Sequence, residues 1–257
     1  MFQLNDPQFH YPSRRSEVYA HNVVASSQPL ATQAGIKMLE SGGNAVDAAL
    51  ACAITLVVVE PVSNGIGSDA FAIVWDGNHL QGLNGSGRSP AAWTPARFSG
   101  REAMPIRGWD CVTVPGAVDT WIRLSERFGK LPFEQLFKPA IHYATEGFIV
   151  TPVIATSWAS AVETYRDFPE FRRTFLPGGL APAAGDIFRC PAQAETLSEI
   201  AETRGESFYR GRLAGLIAAA SEQSGGAMTV DDLSAHESLW VDCISQDFGD
   251  LRVHEIP

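Results

Sequence analysis

VVASSQPLATQAGIKMLESGGNAVDAALACAITLVVVEPVSNGIGSDAF, residues Val23 to Phe71, is the stretch from which the fold can be read. Ser26 and Ser27 offer N-cap hydroxyls and Pro29 suits a first helical turn, so a helix is predicted to run from there to about Glu40. Gly42-Gly43 should stop it, because glycine takes the left-handed geometry after a helix at little cost. Asn44 is placed to cap a second helix, which Pro61 ends. That helix carries Ala45, Ala48, Ala49, Ala51 and Ala53, small side chains that let neighbouring backbones approach closely. The pair is expected to lie deep in a packed core. After the SNGIGSD loop, Ala70 to Trp75 and His79 to Leu83 read as two strands around Asp76-Gly77-Asn78, a hairpin signal.

The 257 residues suffice for a sizeable core, with 45% hydrophobic and 19% charged residues. A net charge of −10 argues against nucleic acid or an anionic membrane as a partner. Cys52, Cys111, Cys190 and Cys243 show no CxxC or Cys/His spacing and read as buried small hydrophobes. The histidines 10, 21, 79, 142, 236 and 254 form no metal spacing either, and neither metal nor cofactor is expected. Met1 to Asn22 has no apolar leader and carries Asp6, Arg14 and Arg15, so it does not read as a signal peptide. No run approaches the ~18 apolar residues of a membrane span, and the chain reads as cytoplasmic.

From Pro115 onward the texture is helical. Helices are predicted at about Ala117–Phe128 and Phe133–Glu146, each followed by a glycine, with apolar residues near helical spacing. Thr151 to Tyr165 reads as one further helix, residues 177–186 as a turn-rich loop, and AETLSEIAETRG and residues 208–226 as two amphipathic helices. Thr229-Val230-Asp231-Asp232 opens a short one, and Leu239–Ile244 and Leu251–Ile256 look like strands. No internal repeat or linker marks a boundary, so residues 1–257 are taken as one continuous lobe.

Three blocks in this order resemble the gamma-glutamyltranspeptidase family: the opening stretch with its GGNAVDAA and VVEP elements, PGAV with LPFEQL..PAI..A.EGF.V, and FYRG.LA with GG.MT.DDL. The family is one of N-terminal-nucleophile (Ntn) hydrolases. The resemblance implies an α+β fold, specifically a partial αββα sandwich made of its helix-rich large-subunit portion. It also implies a zymogen that cleaves itself to free an N-terminal threonine on a small subunit. The threonine's own α-amine, with a pKa near ~8, takes the hydroxyl proton. In the family that threonine precedes another Thr and a His. No Thr of this chain is followed by Thr or His, so no catalytic residue is assigned here; the nucleophile is expected downstream, on the Thr-bearing small subunit. The chain by itself is expected to be inactive.

What this portion is expected to supply is substrate recognition. In the transpeptidases an arginine just after the hairpin grips the substrate's α-carboxylate, a role suited to a planar guanidinium fork. Aligning on the Pro-Ala-Ala that follows puts Ser86 at that position, with Arg88 displaced by two residues. In a strand that displacement keeps one face, so Arg88 is the candidate carboxylate ligand, with Ser86 and Asn84 as weaker hydrogen-bonding candidates. The expected substrate is a small carboxylate-bearing amide, gamma-glutamyl or, as in the oxamate amidohydrolase-like branch, an α-oxo amide acid. A non-catalytic binding or structural lobe that has lost the nucleophile is the alternative. Ser68 and Asp69 replace glycines of the family's loop, and Asp69 reads as a loop cap rather than a pocket acid.

Overall fold

The computed structural model describes residues 17–257. Residues 1–16, with Asp6, His10, Arg14 and Arg15 of the leader reading, lie outside the described residues. In chain order the helices are α1 (Pro29–Glu40), α2 (Ala45–Val59), α3 (Ala117–Phe128), α4 (Phe133–Glu146), α5 (Pro152–Ala159), α6 (Ala161–Thr164), α7 (Pro169–Phe175), α8 (Pro191–Thr203), α9 (Glu206–Tyr209), α10 (Arg212–Gln223) and α11 (Val230–Ser234). The strands are β1 (Ala70–Trp75), β2 (Leu80–Gly85), β3 (Phe148–Ile149), β4 (Ile187–Phe188), β5 (Leu239–Val241), β6 (Ile244–Phe248) and β7 (Leu251–Glu255). The fold is α+β and helix-rich. It comprises two compact units, one of residues up to Gly65 with Lys130–Ser198, the other of Ile66–Gly129 with Glu199–Pro257.

In the first unit α1 and α2 form the predicted pair. Gly42 adopts φ +88°, and the amides of Gly42 and Gly43 return to the carbonyls of Leu39 and Met38 at 3.1 and 2.9 Å, closing α1 in a Schellman turn. The cap of α1 is Gln28, not the expected serines. Its Oε1 accepts from the amides of Leu30 and Ala31, while Ser26 donates to the Gln28 carbonyl and Ser27 to Glu60. The longer amide side chain reaches back over the turn and leaves both hydroxyls for other partners.

Asn44 caps α2 in a full capping box, its Oδ1 accepting from Val46 and Asp47 while Asp47 accepts from the Asn44 amide at 2.8 Å. The Asp47 carboxylate, fully buried, also accepts from the amides of Lys130, at 3.1 Å to each oxygen, and Leu131 at 3.3 Å. One side chain thus joins the start of α2 to the segment that leads into α4. Around it α2 packs against α1 and α4 through Ala48, Ala51, Ile54 and Val58, all nearly or wholly enclosed. Beyond α4, β3 pairs with β4 through Phe148 and Phe188, and Phe188 meets Trp158 edge-on at 4.8 Å.

The predicted helix from Thr151 to Tyr165 is two, α5 and α6. Ser160 bonds its hydroxyl back to the Ser157 carbonyl at 2.8 Å, an alternative to the helical ladder that breaks the run. The helix expected over 208–226 likewise splits at Gly211, where a Cβ would come within 2.9 Å of the Ser207 Cα.

In the second unit β1, β2 and β5 form an antiparallel sheet with β2 central. Asp76 turns the hairpin by accepting the amides of Asn78 and His79, each at 2.8 Å, which hold its carboxyl below the usual carboxylate range. β2 begins at Leu80 and runs on to Gly85 rather than ending at Leu83. The expected strand 239–244 is cut after Val241; Ile244 instead starts β6, which pairs with β7 around Gly249 at φ +64°. A small core of Val114, Ala214, Met228 and Leu233 sits under Trp109, Val112 and Ile217. Cys52 and Cys190 are buried as expected, but Cys111 is exposed and Cys243 half-buried. Among the described residues no helix is long and apolar enough to cross a membrane.

Replacing Asp47 by Ala leaves buried amides without their acceptor and is expected to destabilise the protein by about 3 kcal/mol. A urea unfolding series of wild type and D47A checks this. A loss below about 1 kcal/mol would show that the clip is dispensable.

Candidate functional site

The candidate residues lie where β2 ends and the chain crosses toward α3. The crossing is built on absent side chains. A Cβ on Gly85 would sit 1.8 Å from Thr120 Oγ1, one on Gly87 1.5 Å from the Val114 carbonyl oxygen, and one on Gly116 1.7 Å from the Gly85 carbonyl oxygen. No real side chain fits at such distances, so backbone rests on backbone. The SNGIGSD loop joins the same place: the Ser68 carbonyl accepts from the amides of Gly116 and Ala117 at 3.1 and 2.9 Å, answering two of the free donors at the start of α3.

Hydrogen bonds then pin the loop that carries the candidates. Asn84 Oδ1 accepts from the Ser86 amide at 2.9 Å and the Ser86 hydroxyl at 2.7 Å. The Arg88 carbonyl accepts from the Val114 amide at 3.0 Å. Asp232, the capping-box acid of α11, accepts from the Ala91 amide at 2.7 Å. Asn84 and Ser86 are therefore brought together, whereas the Arg88 side chain is hydrogen-bonded to neither. Its guanidinium is exposed and forms no ion pair among the described residues. The strand argument for Arg88 does not hold, since β2 stops at Gly85 and Arg88 belongs to the loop. Its placement comes from the Val114 tether instead. Asp69 is exposed, and its carboxylate caps nothing among the described residues; the Ser68 carbonyl makes the loop's contact with α3 in its place.

Beneath the loop lies a polar floor that the motifs did not reveal. Thr120 donates to the Gly116 carbonyl at 3.0 Å and lies 3.3 Å from the Ser238 hydroxyl. Asp119 accepts from the Ser238 amide and from Arg123, both at 2.7 Å, and Arg123 also meets Glu237 at 3.0 Å. Tyr209 donates to the Pro115 carbonyl at 2.8 Å and accepts from the Asp119 amide at 3.0 Å. Burial pushes its phenol well above the usual tyrosine range. His236 stacks on Tyr209, and burial holds its imidazole below the ordinary histidine value; Asp119 opposes this, and Arg123 and Arg88 reinforce it. The arrangement is a hydrogen-bonded base beside Arg88, a cation without an ion-pair partner among the described residues. It is suited to holding an anion. Among the described residues no group of three His, Cys, Asp or Glu side chains is set to hold a metal ion.

The family profile for gamma-glutamyltranspeptidase matches residues 31–257. The glutathione hydrolase-like YwrD proenzyme of Bacillus subtilis is 35% identical over 246 residues, 95% of this chain and 47% of that protein. The oxamate amidohydrolase proenzyme of Klebsiella pneumoniae is 36% identical over 231 residues, 87% of this chain and 44% of that protein. The crystal structure of a cephalosporin acylase from Bacillus halodurans superposes with a TM-score of 0.93 at 47% identity, covering 98% of this chain and 49% of that one. The chain spans about half the length of these relatives. With the motif blocks, the profile and the superposition in agreement, the chain belongs to the gamma-glutamyltranspeptidase family.

Proposed function

We propose that this chain is the large-subunit portion of an Ntn-type amidohydrolase or gamma-glutamyltransferase, and that Arg88 holds the carboxylate of its amide substrate. The observation that carries the reading is Arg88 itself, an exposed guanidinium without an ion-pair partner among the described residues on a backbone tethered at Val114. The tether fixes the root of the side chain, and the planar guanidinium matches a carboxylate bidentately. Asn84 and Ser86, bonded to each other, add polar groups close to Arg88 in the chain. The names of the relatives fit a carboxylate-bearing amide: glutathione and oxamate both carry a carboxylate and an amide bond.

The reactive hydroxyl is assigned to a threonine of a small subunit beyond this chain. Its amine would accept the proton as the hydroxyl attacks the amide carbon; the amine product leaves, and water or a second amine resolves the acyl-enzyme. Support for a companion polypeptide comes from β1. Phe71, Ile73 and Trp75 alternate along its outer face and are 53%, 41% and 62% exposed, an apolar surface of the kind that marks an interface. Both strands of the β6–β7 hairpin are likewise exposed, with Phe248 at 75%. The cytoplasm is the compartment proposed for the protein.

In the full-length processed protein, Arg88→Ala is expected to raise KM for gamma-glutamyl-p-nitroanilide or oxamate by about 10- to 100-fold with kcat little changed, the weight of a charge-assisted hydrogen bond. Steady-state kinetics check this, and an unchanged KM would remove Arg88 from the site. Full-length wild type inert toward both compounds would instead favour the non-catalytic lobe. Gly87→Ala should also raise KM, although it leaves the guanidinium intact, because its methyl group would displace the Val114 backbone that tethers Arg88. The chain of residues 1–257 by itself should release no product in the same assay.

A further inference from the structure

One buried titratable side chain of the second unit lacks a hydrogen-bond partner at its enclosed atom. His236 follows α11 and is 7% exposed, and its Nε2 is fully enclosed with no partner. Buried polar atoms are for the most part hydrogen-bonded. The ring is fixed by its stack on Tyr209, 5.5 Å between centroids and 20° between planes. Nε2 lies at the glycine crossing, 3.3 Å from where a Gly116 Cβ would stand, a point that is itself 1.7 Å from the Gly85 carbonyl oxygen. It therefore lies in the floor of the Arg88 loop.

The charged and titratable groups that face it are Asp119 and Arg123 from α3, the adjacent Glu237, Arg88 from the loop and the Tyr209 phenol from α9. Arg123 is compensated by Asp119 and Glu237, at 2.7 and 3.0 Å. Arg88 is the uncompensated charge. We propose that His236 is a specificity residue for anionic ligands: when a carboxylate docks on Arg88, the His236 imidazole gains protonation from solvent, so carboxylate-bearing ligands are gripped more tightly as the pH falls. The inference rests on the reading of Arg88 given above.

The reason is linkage. In the free protein, burial and the nearby guanidinium both disfavour the imidazolium. A carboxylate on Arg88 cancels part of that positive field and raises the histidine's titration midpoint. Reciprocity then requires the protonated protein to bind the anion more tightly. The sign follows. Affinity is level above the ligand-bound midpoint, rises as the pH falls between the two midpoints, and levels again below the midpoint of the free protein.

The test uses the full-length processed protein, with L-glutamate and oxamate as competitive inhibitors between about pH 5 and pH 8, the range in which histidine titrates. The inhibition constant of wild type should fall on acidification by up to about tenfold per pH unit within the linkage window. His236→Phe, which keeps the stack, and His236→Asn, a second uncharged variant, should lose that limb. Calorimetry of wild type in two buffers of different ionisation enthalpy should record proton uptake on binding, and needs no variant. Zero uptake, or the wild-type pH profile retained in either His236 variant, overturns the proposal. Arg88→Gln separates the two readings. If it abolishes capture while the His236 variants behave as wild type, this inference alone falls; if it leaves capture intact, the Arg88 reading falls and this one with it.

Discussion

The contact of Gly85 with Gly116 is the constraint on which the candidate site depends. Two backbone segments meet there with no space for a Cβ, and the Ser68, Thr120 and Arg88 contacts gather around that corner. Because the strand end lies directly on the start of α3, the Ser68 carbonyl can reach two amides of that helix and the Arg88 carbonyl can reach Val114. Thr120 closes the same corner from within α3 by bonding the Gly116 carbonyl. A loop fixed by its backbone and by the Asn84–Ser86 contact leaves the Arg88 guanidinium without a partner among the described residues. That division of labour places the Gly-Ser-Gly-Arg stretch in a defined position.

The first unit solves a similar problem with a charge instead of glycine. Asp47 binds amides from its own cap and from a segment 83 residues away, and full burial of a carboxylate is sustained only when its lone pairs are satisfied in this way. Gly43 makes the arrangement possible, for a Cβ there would lie 2.7 Å from Leu131 and 3.1 Å from the Asp47 carboxylate. The polar and glycine residues of GGNAVDAA therefore act separately. Gly42 ends α1, Gly43 admits Leu131, Asn44 caps α2 and Asp47 ties α2 to the chain ahead of α4. Of the remaining positions Ala48 is buried against its neighbours, Val46 is half-buried, and Ala45 and Ala49 are exposed.

Local rules made much of this legible. The bounds of α3 and α4 follow from glycine stops and helical spacing, and the Asn44 cap from its place before an apolar run. Where the reading missed, a competing partner decided the outcome. Gln28 displaced the serines because its longer side chain reaches the first amides of α1, and Ser160 broke a helix by bonding its own turn. Strand parity puts Arg88 on one face with Ser86, but the strand stops where Gly85 meets α3, and a stop imposed by a distant helix leaves no local mark. His236 was visible only as one of six scattered histidines. Its neighbours Tyr209 and Asp119 come from far along the chain, and nothing in spacing announces that they converge.

Electrostatics give these pieces a common logic. A chain with net charge −10 repels an anionic ligand at long range, yet at physiological salt the Debye length is about 8 Å, and only nearby groups govern capture. Near the loop Arg123 is bound by Asp119 and Glu237, and burial keeps His236 neutral near neutral pH. Arg88 is thus the positive charge near the loop without an ion-pair partner among the described residues, and it follows Gly87, whose close approach to Val114 leaves no space for a Cβ. Under the proposed reading, anion attraction here is local and is set by one exposed guanidinium rather than by the net charge. Those are the conditions under which a single guanidinium can select for a carboxylate.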